Sequence, residues 1–281
     1  MTLRNNEERL GINPTQQSTV EEVMNSSNDN KLSIASPTDF VELPSKGKYY
    51  PSDSSLKDKE SLEFRYMTAR QEDILTNKSL LKKGIAIDRM LQSLLLDSKV
   101  HVDDMLVGDK NAFVIAARIS GYGTEYSTKV ACPTCDNKFN FVFNLEEIKN
   151  KEIEENMLNE NGIISLILPR TNANVECKLL TGKDEKLLSQ LLESKRRKNL
   201  PDNLLTDQLK AIIISVNGDT DTSSINSFVN NMPASDSRYL RVEYYKRVPD
   251  VDMNMSVTCT QCDDTQEVIM PLGAEFFWPQ R

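Results

Sequence analysis

Histidine is nearly missing from this sequence: His101 is the only one among 281 residues. No nucleophile-elbow motif accompanies it, so no Ser-His-Asp set can be assembled, because a weak nucleophile needs an adjacent and oriented base. His101 lies in "SKVHVDD" between two helical patterns, a setting that suits a surface or helix-start residue. A phosphate loop of the form Gly-x-x-x-x-Gly-Lys-Ser/Thr is also lacking. "GYGTEY" is too short for a dinucleotide fingerprint and follows a helical pattern instead of a strand. The acidic pairs Asp103-Asp104, Glu154-Glu155 and Asp263-Asp264 read as solvated faces or turns. The expectation is a protein that is not an enzyme and has no small-molecule substrate.

Long apolar runs are missing as well. None approaches the roughly 18–20 residues that span a bilayer, so no membrane insertion is expected. "MTLRNNEERLGINPTQQ" has no apolar core and does not read as a secretory signal. A reducing cytoplasm follows as the expected compartment, where free thiols and metal sites outnumber disulfides. Concentrated positive charge is scarce too. The formal net charge is −8, and the densest basic run is Lys195-Arg196-Arg197-Lys198. A general nucleic-acid or anionic-membrane binder needs clustered Lys and Arg, so both are disfavoured.

What is present begins with a polar segment. Residues 1–37 are rich in Asn, Ser, Gln, Thr and Glu. Too little apolar surface is available there to offset chain entropy, and a flexible tail is expected. Its scattered Leu3, Leu10, Val20 and Val23 suit at most a short helix formed on a partner. From 38 to 281 a single α+β domain is expected. Its loop "DFVELPSKGKYYP" is anchored by Phe40, Val41, Leu43, Tyr49 and Tyr50, and the alternating Leu62, Phe64 and Tyr66 read as a strand. Thr68 with Gln71 reads as a capping box. A helix carries Ile85, Ile87, Met90, Leu91, Leu94 and Leu95. The next places Ala112, Phe113, Ala116 and Ile119 on one face, and Gly121 and Gly123 stop it. Further on, the pattern predicts an acidic helix over "LEEIKNKEIEENML", strands at "GIISLILP" and "NVECKLLT", and helices over 182–198 and "NLLTDQLKAIIISVN". Two short helices follow over 223–250, the second capped by Ser235 or Asp236. Strand–helix alternation is irregular, which favours α+β over a parallel α/β sheet.

Four of the five cysteines form two Cys-x-x-Cys pairs, Cys132 with Cys135 and Cys259 with Cys262. Two intervening residues let both thiolates of a pair point inward from one tight knuckle. Two facing knuckles give four sulfurs in a tetrahedron, the arrangement of a structural zinc site. A strand pattern follows each pair, at 139–143 and 268–270, as in a zinc ribbon. The expected ribbon is discontinuous, with halves at 125–145 and 254–273 and a folded insertion between them. Loop closure costs grow only logarithmically, so the long insertion is no obstacle. One Zn²⁺ per chain is expected, with a filled coordination sphere and no open position for a catalytic water. Two redox pairs, two disulfides or plain buried thiols remain alternatives. Cys177, alternating with Val175 and Leu179, reads as a core thiol.

The chain closes on "AEFFWPQR", where Phe276 and Phe277 precede Trp278, the only tryptophan. Aromatics of this size either plug the domain's own core or anchor a neighbouring subunit.

Several stretches in fixed order, "ELPSKGKYYP", "LEFRYMTARQEDILTNKSLLKKGIAIDRML", "VDDMLVGDKNAFVIAARISGYGTEY", the two knuckles and "PLGAEFFWP", resemble the T-even-type phage baseplate proteins known as hub subunits or hub-assembly proteins. The resemblance covers residues from about 40 to 281. It implies a contractile-tail component made in the host cytoplasm, a place in the baseplate hub or its assembly, and other baseplate and tail proteins as partners. It also implies metal ligation by Cys132, Cys135, Cys259 and Cys262, and contact or packing roles for the loop 43–51 and for the "FFWP" end. A zinc-ribbon nucleic-acid binder or transcription accessory is the alternative. That reading requires basic and aromatic residues projecting from the ribbon, whereas "CPTCDNK" and "CTQCDDTQE" are neutral to acidic.

Overall fold

The alternation around Leu62 and Phe64 is realised as a hairpin of β1 (Thr38–Glu42) and β2 (Ser61–Arg65), with Val41 opposite Leu62. The computed structural model describes residues 37–154, 157–272 and 274–277. The expected tail, with Leu3, Leu10, Val20 and Val23, lies outside the described residues but for Pro37, as do Glu155 and Trp278. Leu43, Tyr50 and Leu56 of the loop between these strands are buried, while Phe40 is left 63% exposed.

Thr68 and Gln71 form the expected capping box at α1 (Ala69–Thr76), with the Thr68 N–H and hydroxyl both donating to Gln71 Oε1 at 3.0 and 2.6 Å. A short α2 (Lys78–Lys82) is capped by Asn77. In α3 (Ala86–Leu94), Met90, Leu91 and Leu94 are buried at helical spacing.

The central element is α4 (Val107–Tyr122). One buried face was expected; instead Ala112, Phe113, Val114, Ile115 and Ala117 are all buried, and Ala116 and Ile119 are only half-buried. The helix is enclosed on several sides, so the amphipathic stripe widens. Gly121 sits inside its last turn, and Gly123, at φ 80°, is the cap, donating to the Ile119 carbonyl at 2.9 Å. Near the other end Gly108 is required by close approach: a Cβ there would lie 1.9 Å from the Pro249 carbonyl oxygen.

Buried Asp109, in the first turn of α4, holds the 43–51 loop. Its Oδ1 accepts from the Ser45 N–H at 2.9 Å; its Oδ2 accepts from the hydroxyls of Ser45 at 2.6 Å and Tyr50 at 2.7 Å. Burial pushes its carboxyl above the ordinary range, against the pull of those hydrogen bonds. A carboxyl raised in the folded state binds its proton more tightly there than in the unfolded chain. Its stabilising contribution is therefore complete below the unfolded value, about pH 4, and is lost as pH rises through the folded one. Asp109→Asn, which does not titrate, is expected to cost on the order of 1–2 kcal/mol. The wild type's stability advantage over this variant should be largest near pH 4 and shrink towards neutrality. Urea midpoints of both proteins across that range check this, and an advantage that grows with pH would contradict it.

Two long strands follow α4, β3 (Glu125–Ala131) and β4 (Lys138–Asn144), paired antiparallel with Tyr126 opposite Phe143. Of the acidic helix expected over 145–158, the described residues form none. The chain makes one 3-10 turn at Leu145–Glu147 and the two-residue β5 (Lys149–Asn150). Leu145 is buried and its N–H donates to the Thr124 carbonyl at 2.9 Å. That tertiary anchor overrides a weak local propensity.

The insertion holds an antiparallel sheet of β6 (Ile164–Ile167), β7 (Asn174–Cys177) and β8 (Ile213–Val216), in that order. Around it lie α5 (Gly182–Arg197), α6 (Leu204–Ile212), α7 (Thr222–Asn231) and α8 (Ala234–Arg247). The helix expected across "NLLTDQLKAIIISVN" ends at Ile212. Beyond it, the β-branched run beside β7 completes the sheet as β8, where such side chains pack better. Cys177 is buried, and burial pushes its thiol up to about 12. The N-cap of α8 is Pro233, not Ser235 or Asp236. Asp236 turns inward instead and accepts from the N–H groups of Arg170 and Thr171, both at 3.0 Å.

After α8 come β9 (Val251–Asp252), β10 (Asn254–Thr258), β11 (Thr265–Ile269) and a last 3-10 turn, Ala274–Phe277. β5 pairs antiparallel with β9, and the Lys151 N–H donates to the Asp250 carbonyl at 2.8 Å. Residues 151–250 thus leave and return side by side. Helices and short antiparallel strands are mixed throughout, and the described fold is α+β.

Candidate metal centre

Each Cys-x-x-Cys pair sits at the tip of a two-stranded hairpin, β3–β4 for Cys132 and Cys135 and β10–β11 for Cys259 and Cys262. The two tips fold alike although their sequences differ. The Cys132 N–H donates to the Asn137 carbonyl at 2.9 Å, and the Asp136 N–H returns to the Cys132 carbonyl at 2.8 Å. In the second tip the Cys259 N–H donates to Asp264 at 2.9 Å, and Asp263 returns to Cys259 at 3.1 Å. Both turns close through a left-handed Asp after the second cysteine, Asp136 at φ 55° and Asp263 at φ 54°. Asp is one of the few non-glycine residues that tolerates this region. The shared fifth letter of "CPTCD" and "CTQCD" is therefore a conformational signal that the sequence reading overlooked.

The four sulfurs meet across the tips. Cys132 and Cys262 lie 3.7 Å apart, Cys135 and Cys259 also 3.7 Å, and all four fall within 4.8 Å of one another. A tetrahedral ion with bonds of about 2.3 Å to sulfur requires sulfurs about 3.8 Å apart, so the quartet fits one ion without rearrangement. All five cysteines are free thiols, and sulfur contacts join opposite knuckles, which does not suit two separate redox pairs. Cys132 and Cys259 are buried, whereas Cys135 and Cys262 are more exposed.

The surroundings act on the sulfurs in opposite directions. The Gln261 N–H donates to Cys259 Sγ at 3.4 Å. That amide, with the one of Cys262, holds the Cys259 thiol down at about 6. Although the Asp264 N–H pulls the other way, desolvation and the neighbouring sulfurs of Cys135, Cys259 and Cys132 push Cys262 up to about 12. Metal ligation requires thiolates, so a divalent ion displaces protons on binding and its affinity rises with pH. A bond from Thr134 Oγ1 to Asp264 Oδ2 at 2.6 Å ties the knuckles together beside the sulfurs. The quartet is the full donor set found here among the described residues, and four thiolates close a tetrahedral sphere. His101 is exposed at the head of the 3-10 turn Val102–Asp104 and is not among the four metal donors.

The hairpins rest on an aromatic layer. Phe139, Phe143, Tyr126 and Val130 from the first and Val257 from the second are buried. Phe276 and Phe277 join them: both are buried, and Phe276 meets Tyr126 edge-on at 4.9 Å. As candidate subunit contacts, these two phenylalanines are instead placed in this chain's own core, where their large apolar area is removed from water locally. Sequence reasoning also missed Arg118. Fully buried, its guanidinium donates to the carbonyls of Phe276 at 2.8 Å and of Gly123 and Glu125, both at 3.0 Å. It lies 5.1 Å from the Tyr122 ring centroid. An arginine in "AARIS" carries no local sign of such a role.

A family model described as T4 bacteriophage base plate protein matches residues 37–278. No curated protein and no solved structure matches the chain. Among the described residues no helix is long and apolar enough to cross a membrane.

Proposed function

Because the chain belongs to the T4 bacteriophage base plate protein family, we propose that it is a non-enzymatic structural or assembly component of the baseplate hub, held together by one structural Zn²⁺. Family membership over most of the chain carries this reading. Cys132, Cys135, Cys259 and Cys262 hold the ion, whose chemistry here is to bind two hairpins that are far apart in the chain. The donor set supports zinc, since four thiolates in a tetrahedron match its preference and a closed sphere suits a structural role. The knuckles present Asp136, Asp263 and Asp264 next to the sulfurs, which disfavours nucleic acid as the partner. Quantitative mass spectrometry of purified virions and of assembly intermediates tests the reading. A fixed stoichiometry in virions makes the protein a hub subunit, and presence in intermediates alone makes it an assembly factor. Absence from both overturns the proposal.

Subunit contact has a place to occur. In α5 only Gly182 is buried, and Leu187 and Leu191 are exposed one turn apart, near the exposed Leu200, Leu204 and Leu205 in the chain. α5 and α6 pack against each other, so these leucines lie on adjoining elements, and exposed apolar groups gathered in one patch mark association surfaces. The double variant Leu187→Glu/Leu204→Glu is expected to keep the thermal midpoint, because solvent-facing substitutions change stability little. Its incorporation into assembly intermediates should fall by more than about tenfold, equivalent to about 1.4 kcal/mol. Normal incorporation would remove α5 and α6 from the contact surface.

A further inference from the structure

Two strand edges face one another across a slot that no described residue fills. A cavity of about 320 Å³ is lined by Phe141, Val142 and Asn144 of β4 and by Asn254, Met255 and Ser256 of β10. Residues of both parities line it from each strand, so the strands present their edges to it, not their faces. Among the described residues β4 pairs only with β3, and β10 only with β11.

The hydrogen-bond register shows which backbone groups are free. Bonds from Leu145 N–H to Thr124 and from Cys132 N–H to Asn137 bracket the β3–β4 ladder. With alternation between them, Tyr126–Phe143, Thr128–Phe141 and Val130–Phe139 exchange bonds, and the amides and carbonyls of Asn140 and Val142 point away from β3. Likewise, bonds from Met270 N–H to Met253 and from Cys259 N–H to Asp264 bracket β10–β11, and the Ser256 backbone points away from β11.

Both rails are clamped at their ends. The β5–β9 ladder closes one end and the cysteine quartet the other. Open edges of this kind are templates for strand addition, and β4 carries no proline across its length to blunt one. Val142 is 54% exposed and Phe141 and Met255 are half-buried, so the slot has apolar lining for alternate side chains. Glu147 and Asp252 complete the lining, and among the described residues neither has a cationic partner.

We propose that the slot between β4 and β10 binds an extended peptide segment of a neighbouring protein, with alternating apolar and basic side chains, by strand addition. Main-chain bonds to Val142 and Ser256 supply the affinity and the two carboxylates select positive charge. The inference goes beyond the hub reading. It uses the metal centre only as one clamp, so zinc content is measured alongside and a metal failure is read separately.

The probe is the peptide Lys-Val-Thr-Val-Lys-Val-Thr-Lys, added to the full-length protein while amide hydrogen exchange is followed. Protection centred on Val142 and Ser256, half-complete below about 1 mM peptide, is expected. The same peptide with Glu in place of Lys should bind at least tenfold more weakly. A version N-methylated at alternate residues should lose binding, since it lacks the main-chain donors and leaves the protein untouched. Val142→Lys, which sets a charge on the edge, should also weaken binding at least tenfold with zinc content unchanged. No protection at these amides, equal binding of the acidic peptide, or full binding of the N-methylated one would each overturn the proposal.

Discussion

Cys262→Ser is expected to abolish stoichiometric zinc binding and to lower stability by several kcal/mol, enough to remove the cooperative unfolding transition near body temperature. The position makes the test sharp. Cys262 is exposed, and an ordinary surface substitution shifts stability by only about 0.5 kcal/mol in either direction. A large loss can come only from the bond that its sulfur makes. Zinc held by thiolates in small peptides is worth roughly 10–16 kcal/mol at neutral pH, comparable with the whole stability of a domain. On the proposed reading the ion would fasten the Cys262 hairpin to one that precedes it by more than a hundred residues, so its loss would also release the layer of Tyr126, Phe143 and Phe276 beneath. Cys135→Ser should behave alike, and a strong chelator should reproduce the loss in the wild-type protein. Metal analysis with thermal unfolding decides it. An unchanged midpoint in Cys262→Ser would end the case for a structural ion.

The second large effect is expected at Arg118. Its three carbonyl partners belong to the end of α4, the start of β3 and the final 3-10 turn, so one side chain joins three segments. Arg118→Met preserves much of the volume but leaves the three carbonyls without donors. The buried Phe276 carbonyl, once orphaned, costs about 1–3 kcal/mol, the half-buried Gly123 and Glu125 bonds less, and with the buried packing lost the total is expected at about 2–4 kcal/mol. Arg118→Lys keeps the charge but lacks the planar fork that reaches three acceptors, and should recover less than half of the loss. Urea unfolding measures the cost. Hydrogen exchange should accelerate first at Phe276 and Phe277, because their turn is the segment held through the longest-range bond. A loss within 0.5 kcal/mol would show that water replaces the guanidinium without penalty.

Legibility tracked the range over which each signal acts. The capping box at Thr68 and Gln71, the α3 stripe of Met90, Leu91 and Leu94, and the β6 and β7 strands depend on neighbours a few residues apart. They follow from periodicity and caps alone. The acidic stretch after Leu145 looked helical because its local composition is helical, yet a buried leucine and the β5–β9 ladder hold it extended. "AIIISVN" continued a helix on paper and became β8 because β7 offers a partner strand. Asp236 looked like a helix cap and instead serves a loop some 65 residues earlier in the chain.

By itself, then, the sequence determined the four metal-ligating candidates, the α+β class and the baseplate resemblance. Cysteine spacing within a knuckle is a local constraint, and repeating it identifies both halves of one site. Tertiary structure alone decided that Phe276 and Phe277 turn inward, and that Asp109 and Arg118 are buried anchors. Those outcomes depend on which distant backbone groups arrive beside each side chain. A buried charge is tolerable only where such partners are already in place.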